Sequence, residues 1–288
     1  MEPYAPQPAI AAIADIDFDR RFGGIARLYG AAALDRFRHA RVCVIGVGGV
    51  GSWVAEALAR SAIGHITMID LDNVAESNIN RQLHALTDTL GQAKVSALAD
   101  RIAQINPYCQ VTQIEDFITA DNLDAMIGAG HYDYVIDAID DVRAKTALIV
   151  YCRAGRIPLV TVGGAGGQID PTRIEVRDLA RTEQEPLLAK VRKRLRAQHG
   201  FPRGAKSKFG IDAVFSTEPL RYPQTDACDL ADRAVTGLNC AGFGSAMVVT
   251  ASFGLTAAAL VLRRLAETAS QSAAAPASSA VSADPITA

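Results

Sequence analysis

The chain has 288 residues, is 49% hydrophobic and 21% charged, and carries a formal net charge of −2. That length can bury a sizeable core, as one large domain or two modest ones, and the composition excludes a wholly disordered protein. The near-neutral charge excludes a histone-like polycation, so contact with nucleic acid has to come from a local basic patch.

Residues 1–14 are rich in Ala and Pro, and residues 268–288 are Ala-Ser-Pro low complexity. Both lack the bulky apolar surface needed to offset ordering entropy, so disorder is expected there, leaving 15–267 as one domain. Residues 41–46 (Arg-Val-Cys-Val-Ile-Gly) read as a buried strand and 50–60 as a helix with an apolar stripe. Residues 65–70 read as the next strand. In 92–105, Val95, Leu98, Ala99, Ile102 and Ile105 fall at helical spacing, and Asn106-Pro107 ends the helix. Residues 111–114, 134–139 and 158–162 supply further strands. Alternation of this kind predicts an α/β fold, a Rossmann-like, mainly parallel sheet with helices on both faces. After Gly163-Gly-Ala-Gly-Gly, residues 169–176 look like strand–turn–strand, which predicts antiparallel C-terminal additions to the same sheet. Residues 241–262 are uncharged and precede Arg263-Arg264, so length alone permits a membrane span. Their many Ala, Gly, Ser and Thr favour a buried helix instead, and a cytoplasmic protein with membrane association as the alternative.

The first strand runs into Gly46-Val-Gly48-Gly49-Val-Gly51 and then a helix. Glycines there allow a tight turn and let backbone N–H groups approach a phosphate at the positive helix end. Asp70 closes the second strand, where an acid can accept from ribose hydroxyls. Taken alone, this pattern points to a dinucleotide and an NAD-dependent oxidoreductase, or to glycines that only permit close packing. The polar run Asp70-Leu-Asp72-Asn-Val-Ala-Glu-Ser77-Asn78-Ile-Asn80-Arg81-Gln82 points elsewhere. Arg81 suits a bidentate grip on phosphate oxygens, and Lys94 begins its helix off the apolar stripe. Asp137-Ala-Ile-Asp140-Asp141 falls at a strand end, where a carboxylate can hold magnesium among phosphates. Two cations and a carboxylate around a glycine loop fit ATP with magnesium better than a nicotinamide. Surface salt bridging is the plain alternative.

Together, Gly-x-Gly-Gly-x-Gly-Ser, Asp-x-Asp-x-Val, Ser-Asn-x-x-Arg-Gln, the lysine thirteen residues later and Asp-x-x-Asp resemble the ThiF/MoeB/HesA superfamily, bacterial relatives of ubiquitin-activating enzymes. Over residues 19–262 the resemblance is sharpest to the branch that dehydrates threonylcarbamoyl-adenosine in tRNA. It is carried by Arg21-Phe-Gly-Gly-Ile-Ala-Arg-Leu-Tyr-Gly30, Thr161-Val-Gly-Gly-Ala-Gly-Gly-Gln-Ile-Asp-Pro171 and Phe215-Ser-Thr-Glu-Pro-Leu-Arg-Tyr-Pro223. The resemblance implies adenylylation of a carboxylate by ATP with magnesium, then ring closure with release of AMP. It places Gly46, Gly48, Gly49, Gly51 and Asp70 on the adenosine, and Asn78, Arg81 and Lys94 on the phosphates. Asp140 would hold the metal, with Arg81, Lys94 and Asp140 as the catalytic set. It also implies a homodimer, a cysteine desulfurase and sulfur-acceptor protein as partners, and no zinc. Gly24 stands where many relatives have a second arginine, for which Arg20 or Arg27 could substitute. An adenylylating activator of a ubiquitin-like or sulfur-carrier protein is the alternative activity.

Residues 190–208 contain eight cations and no acid: Lys190, Arg192, Lys193, Arg194, Arg196, Arg203, Lys206 and Lys208. Leu187, Leu188, Val191 and Leu195 give the first part of this basic insertion (about 187–210) an inward helical face. A charge run is often only a solvated face. On a slightly acidic chain this one points to a phosphate backbone, hence to tRNA, and a carrier protein would gain little from it. A non-catalytic RNA-binding module is a further reading. Cys43, Cys109, Cys152, Cys228 and Cys240 contain no C-x-x-C pair and are odd in number, which argues against a disulfide framework and fits a reducing cytoplasm. The start, Met1-Glu-Pro-Tyr, has no basic region before an apolar stretch, so no export signal is expected. Cys240 is either a small buried residue or a covalent acceptor. His65, His84 and His131 lack ligand spacing and receive no role.

Overall fold

The computed structural model describes residues 16–204, 206–222 and 243–274. Arg41–Ile45 (β1) buries its last four residues, as a strand covered on both faces requires. It pairs in parallel with His65–Ile69 (β2) and Tyr134–Asp137 (β4). Gln110–Ile114 (β3) flanks β2, and Leu159–Val162 (β5) flanks β4, both in parallel. Asp212–Ser216 (β7) adds a further parallel strand beside β5, and Ile174–Asp178 (β6) closes the edge antiparallel to β7. The order across the seven strands is β3-β2-β1-β4-β5-β7-β6.

Alternate residues of β1 feed two cores. Val42 and Val44 pack under Ala31–His39 (α2), Gly51–Arg60 (α3), Lys94–Ile105 (α4) and Met247–Ala274 (α8). Cys43 and Ile45 face Leu123–Met126 (α5), Val142–Ala154 (α6) and Pro186–Gln198 (α7). Phe18–Tyr29 (α1) leans on α2 through Phe22 and Leu34. The helices expected at 50–60 and 92–105 appear as α3 and α4, trimmed by one or two residues.

Three expectations need correction. Residues 169–176 are not strand–turn–strand. Pro171 opens a short turn that Asp170 caps (its Oδ1 accepts from Thr172 N at 2.9 Å), and only β6 follows. Its partner β7 arrives after α7 and runs parallel to β5, so the parallel sheet extends one strand further than expected. The disorder expected of the tail from residue 268 does not begin there, because α8 runs on to Ala274. Alanine is the best helix former, and Thr268 and Ser270 hydroxyls donate back to Leu265 O (2.7 Å) and Ala266 O (3.2 Å). The rest of that tail and residues 1–14 lie outside the described residues. Within α8, Met247–Gln271 is long and apolar enough to cross a membrane, but 61% of its most apolar window is buried, against α2 and α3.

Candidate active site at the strand C-termini

Four parallel strands, β1, β2, β4 and β5, end at one cavity of about 560 Å³. Its floor is the turn from β1 into α3. Gly46 takes φ +80°, and a Cβ there would meet Ala138 O at 2.9 Å. A Cβ on Gly51 would lie 1.9 Å from Gly46 O, so no other residue fits. Gly48 and Gly49 line the cavity itself. The positive end of α3 therefore opens toward it, a geometry that favours a phosphate.

Asp70 stands over this turn. Its Oδ2 accepts from Val47 N at 2.7 Å and its Oδ1 from Asp72 N at 2.9 Å. Burial pushes its carboxyl above the usual range, and the nearby Lys94 opposes that rise. Lys94 is buried and lines the cavity, with Nζ 2.8 Å from Asp72 Oδ2. Arg81 lines the same wall; its Nη1 donates to Ser77 O (2.7 Å) and Asn80 Oδ1 (2.9 Å), and its carbonyl accepts from Trp53 Nε1 (3.0 Å). Asn80 in turn donates to Ser245 O at 2.8 Å, tying this segment to the start of α8. Asn78 lines the cavity too, but its Oδ1 accepts from Ala75 N at 3.1 Å, fixing the turn that precedes Arg81. Asp140 is an exposed rim residue, whereas Asp141 caps α6, accepting from Arg143 N and Ala144 N, each at 2.8 Å.

Every nucleotide-site residue expected from the sequence except Gly51 thus lines one cavity, and Gly51 builds its floor. The structure adds a buried set of which sequence reasoning named only Asp137, in the strand-end carboxylate motif; its ion pair turns it away from the metal role that motif suggested. Lys145 and Asp137, both fully buried, pair at 2.9 Å. Lys145 also donates to Thr161 Oγ1 (3.1 Å) and Val162 O (3.0 Å). Glu185 caps α7 through Leu187 N (3.2 Å) and Leu188 N, and accepts from Gly164 N at 2.9 Å on the cavity wall. Burial raises its carboxyl pKa, with those amides and the Lys145 charge opposing.

The eight cations of the basic insertion do not all line one groove. Leu187, Leu188, Val191 and Leu195 face inward as expected. Arg192, Lys193, Arg196 and Arg203 gather around a groove of about 850 Å³, whereas Lys190, Arg194, Lys206 and Lys208 stand outside it. At Gly24, the Arg27 guanidinium lies over the helix surface, 3.9 Å from where a Cβ would sit. His84 is buried behind the Arg81 segment, facing a separate cleft of about 1010 Å³ between α1 and α4 that contains none of the glycine loop. Cys240 lies outside the described residues.

The ThiF family pattern matches residues 20–282. The chain is 55% identical over 251 residues to the tRNA threonylcarbamoyladenosine dehydratase of Escherichia coli strain K12, covering 85% of this chain and 93% of that one. It is 51% identical over 259 residues to the Haemophilus influenzae enzyme of the same name, with coverage of 89% and 97%. The crystal structure of the E. coli enzyme TcdA in complex with ATP superposes with a TM-score of 0.80 at 53% identity, covering 88% of this chain and 97% of that one. The chain belongs to the ThiF family, in its tRNA threonylcarbamoyladenosine dehydratase branch.

Proposed function

We propose that this chain is an ATP-dependent tRNA threonylcarbamoyladenosine dehydratase acting in the cytoplasm. The observation that carries the reading is the convergence of Arg81, Lys94, Asp70 and Asp140 on the glycine-floored cavity, in a chain so close to enzymes of that name. The threonyl carboxylate of the modified nucleoside is a poor electrophile. One of its oxygens attacks the α-phosphorus of ATP, and pyrophosphate leaves. The carbamoyl group of the same modification then attacks the acyl carbon, and AMP departs with the oxygen. One water's worth of atoms is lost from the nucleoside. The attacking group is tethered, so its effective concentration is high and no enzyme nucleophile is needed.

The chain's own contribution is placement and charge. The turn 46–51 and the α3 N-terminus hold phosphate oxygens, and Asp70 takes the ribose. Arg81 and Lys94 stabilise negative charge where it develops at the α-phosphate, the kind of stabilisation that supplies most of such rate enhancements. Asp140 offers one exposed carboxylate beside the phosphates, the donor set magnesium takes in nucleotide sites. A magnesium ion held there would supply further neutralisation of phosphate charge. The basic insertion supplies electrostatic attraction for tRNA.

The test is AMP release from ATP with and without tRNA bearing threonylcarbamoyl-adenosine, followed by mass analysis of the nucleoside. The expected result is tRNA-dependent AMP with loss of one water, abolished in Arg81→Gln. AMP or pyrophosphate exchange that requires a carrier protein and ignores tRNA would overturn the reading.

A further inference from the structure

The groove beside α7 has a makeup that a merely solvated charge run lacks. Five cations line it: Arg192, Lys193 and Arg196 from α7, Arg203 from the following loop, and Arg181 from the turn Leu179–Arg181. None of the described lining residues is acidic. Its two inner arginines are fixed rather than loose. Arg192 is half-buried, with Nη1 bonded to Thr182 Oγ1. Arg196 lies 5.2 Å over the Phe209 ring with Nη2 3.5 Å from Ala180 O, and its Nε is buried without a hydrogen-bond partner. Two guanidinium groups side by side repel. Burial and the Arg196 charge both push Arg192 toward losing its proton, and the buried Glu185 opposes them. Fixed, mutually repelling arginines are satisfied by an anion with several oxygens.

The groove's distance from the active site is set by α7. Leu187 lines the nucleotide cavity, and Arg196 lies nine residues further along the same helix. At ~1.5 Å per residue the separation is about 14 Å along the axis. Arg192, five residues from Leu187, is about 8 Å away on the same scale, so the groove spans roughly two to four stacked nucleotides at ~3.4 Å each. Glu185 holds this spacing, since it caps α7 and also binds Gly164 N on the cavity wall.

We infer that the groove formed by Arg181, Arg192, Lys193, Arg196 and Arg203 binds backbone phosphate of the substrate RNA strand about two to four nucleotides from the nucleoside in the active site. The inference rests on the tRNA reading above and adds to it a defined pocket, a register and Arg181. Lys190, Arg194, Lys206 and Lys208 contribute only long-range attraction.

The rim residues are exposed, so Arg181→Gln/Lys193→Gln/Arg203→Gln removes charge and gives up one bond to the inner pair, Arg203 Nη2 to the Arg196 backbone O at 3.4 Å. Binding is measured with an unmodified tRNA transcript over a salt series. The expected result is about a tenfold loss of affinity, with the salt slope reduced by about two to three. Arg263→Gln, an exposed cation on the opposite layer of the fold, should leave that affinity unchanged. A second measurement uses the parent protein, so it does not depend on how the variant folds. Single phosphates of an anticodon-arm RNA are replaced by neutral methylphosphonates, and affinity should drop at positions about two to four nucleotides from the modified nucleoside. Uniform insensitivity along the strand overturns the register. Unchanged tRNA affinity in the triple variant overturns the groove and leaves dehydration standing. If retention of polyglutamate or of pyrophosphate falls instead, the groove serves an acidic protein or a free anion. Absence of tRNA-dependent AMP in the parent overturns the reaction, and the register with it.

Discussion

His84 should make this protein acid-sensitive. It is 2% exposed, and neither ring nitrogen has a hydrogen-bond partner among the described residues. Burial, with the Lys94 charge adding to it, pushes its pKa down to about 4, from an ordinary 6.5. Between those values the unfolded chain binds a proton that the folded one does not, so stability rises with pH across that window. The contribution is fully present above about pH 6.5 and is lost as pH falls toward 4. At 1.36 kcal/mol per pKa unit the loss approaches about 3 kcal/mol below pH 4 and is about 2 kcal/mol at pH 5. The perturbation is His84→Leu, which removes the titrating ring and two unmatched nitrogens while keeping apolar volume. Urea unfolding of both proteins at pH 7.5 and 5.0 gives the comparison. At pH 7.5 the variant should match or slightly exceed the parent, since an unsatisfied buried polar group carries its own cost. Between pH 7.5 and 5.0 the parent should lose about 2 kcal/mol more than the variant. Parallel losses in the two proteins, or a His84 ring resonance that titrates near 6.5 in the folded state, would refute the reasoning.

Lys145→Met should cost about 3–5 kcal/mol in urea unfolding, because it strands the fully buried Asp137 carboxylate. The double variant with Asp137→Leu should recover most of that loss, and a double variant as unstable as the sum of its parts would count against an interacting pair. Gly51→Ala should weaken ATP binding at least tenfold by calorimetry. Its Cβ collides with Gly46 O, so the phosphate turn has to open; unchanged affinity would mean that the turn does not set the nucleotide site.

What could be read from the sequence follows from range. β1 and β2 are mostly apolar runs because both faces of a parallel strand are covered, and the residues after β1 turn inside a tight space that admits only glycine at Gly46 and Gly51. Arg81, Lys94 and Asp140 were legible as cavity-lining residues because strand C-termini are where α/β sheets gather ligand groups. Asn78 was legible as a site residue, but its oxygen also holds the turn before Arg81, a backbone bond that sequence cannot display. The edge pair β6–β7 was misread because α7 separates two strands that only the finished sheet brings together. Lys145 was overlooked because a lysine in a helix ordinarily reads as solvated. The signal was present: Lys145, Leu148, Ile149 and Cys152 fall at helical spacing on one buried face, so the charge needed an internal partner. Glu185 was hidden for a similar reason, since only its place before Pro186 marks it as a helix cap.

Lys145 and Glu185 share one location with Asp137. Asp137 ends β4, Lys145 crosses to the end of β5, and Glu185 joins the Gly163-Gly164 loop to the start of α7. They connect the two regions that were legible, the nucleotide cavity and the basic helix. Each region declares itself locally, by glycine sterics in one case and by charge density in the other. The distance between them is tertiary, and groups buried away from water hold it. A charge set of this kind adds little net stability over an apolar replacement, yet removing one member is costly. Its value here is geometric. A substrate bound at both regions reacts only if the acid sits within bonding distance of the α-phosphate while the backbone lies in the groove, and a small misplacement at that point can cost orders of magnitude in rate. If tRNA binds in the groove as inferred above, rigid linkage of α7 to the cavity wall through Glu185 would convert that affinity into placement of the threonyl carboxylate.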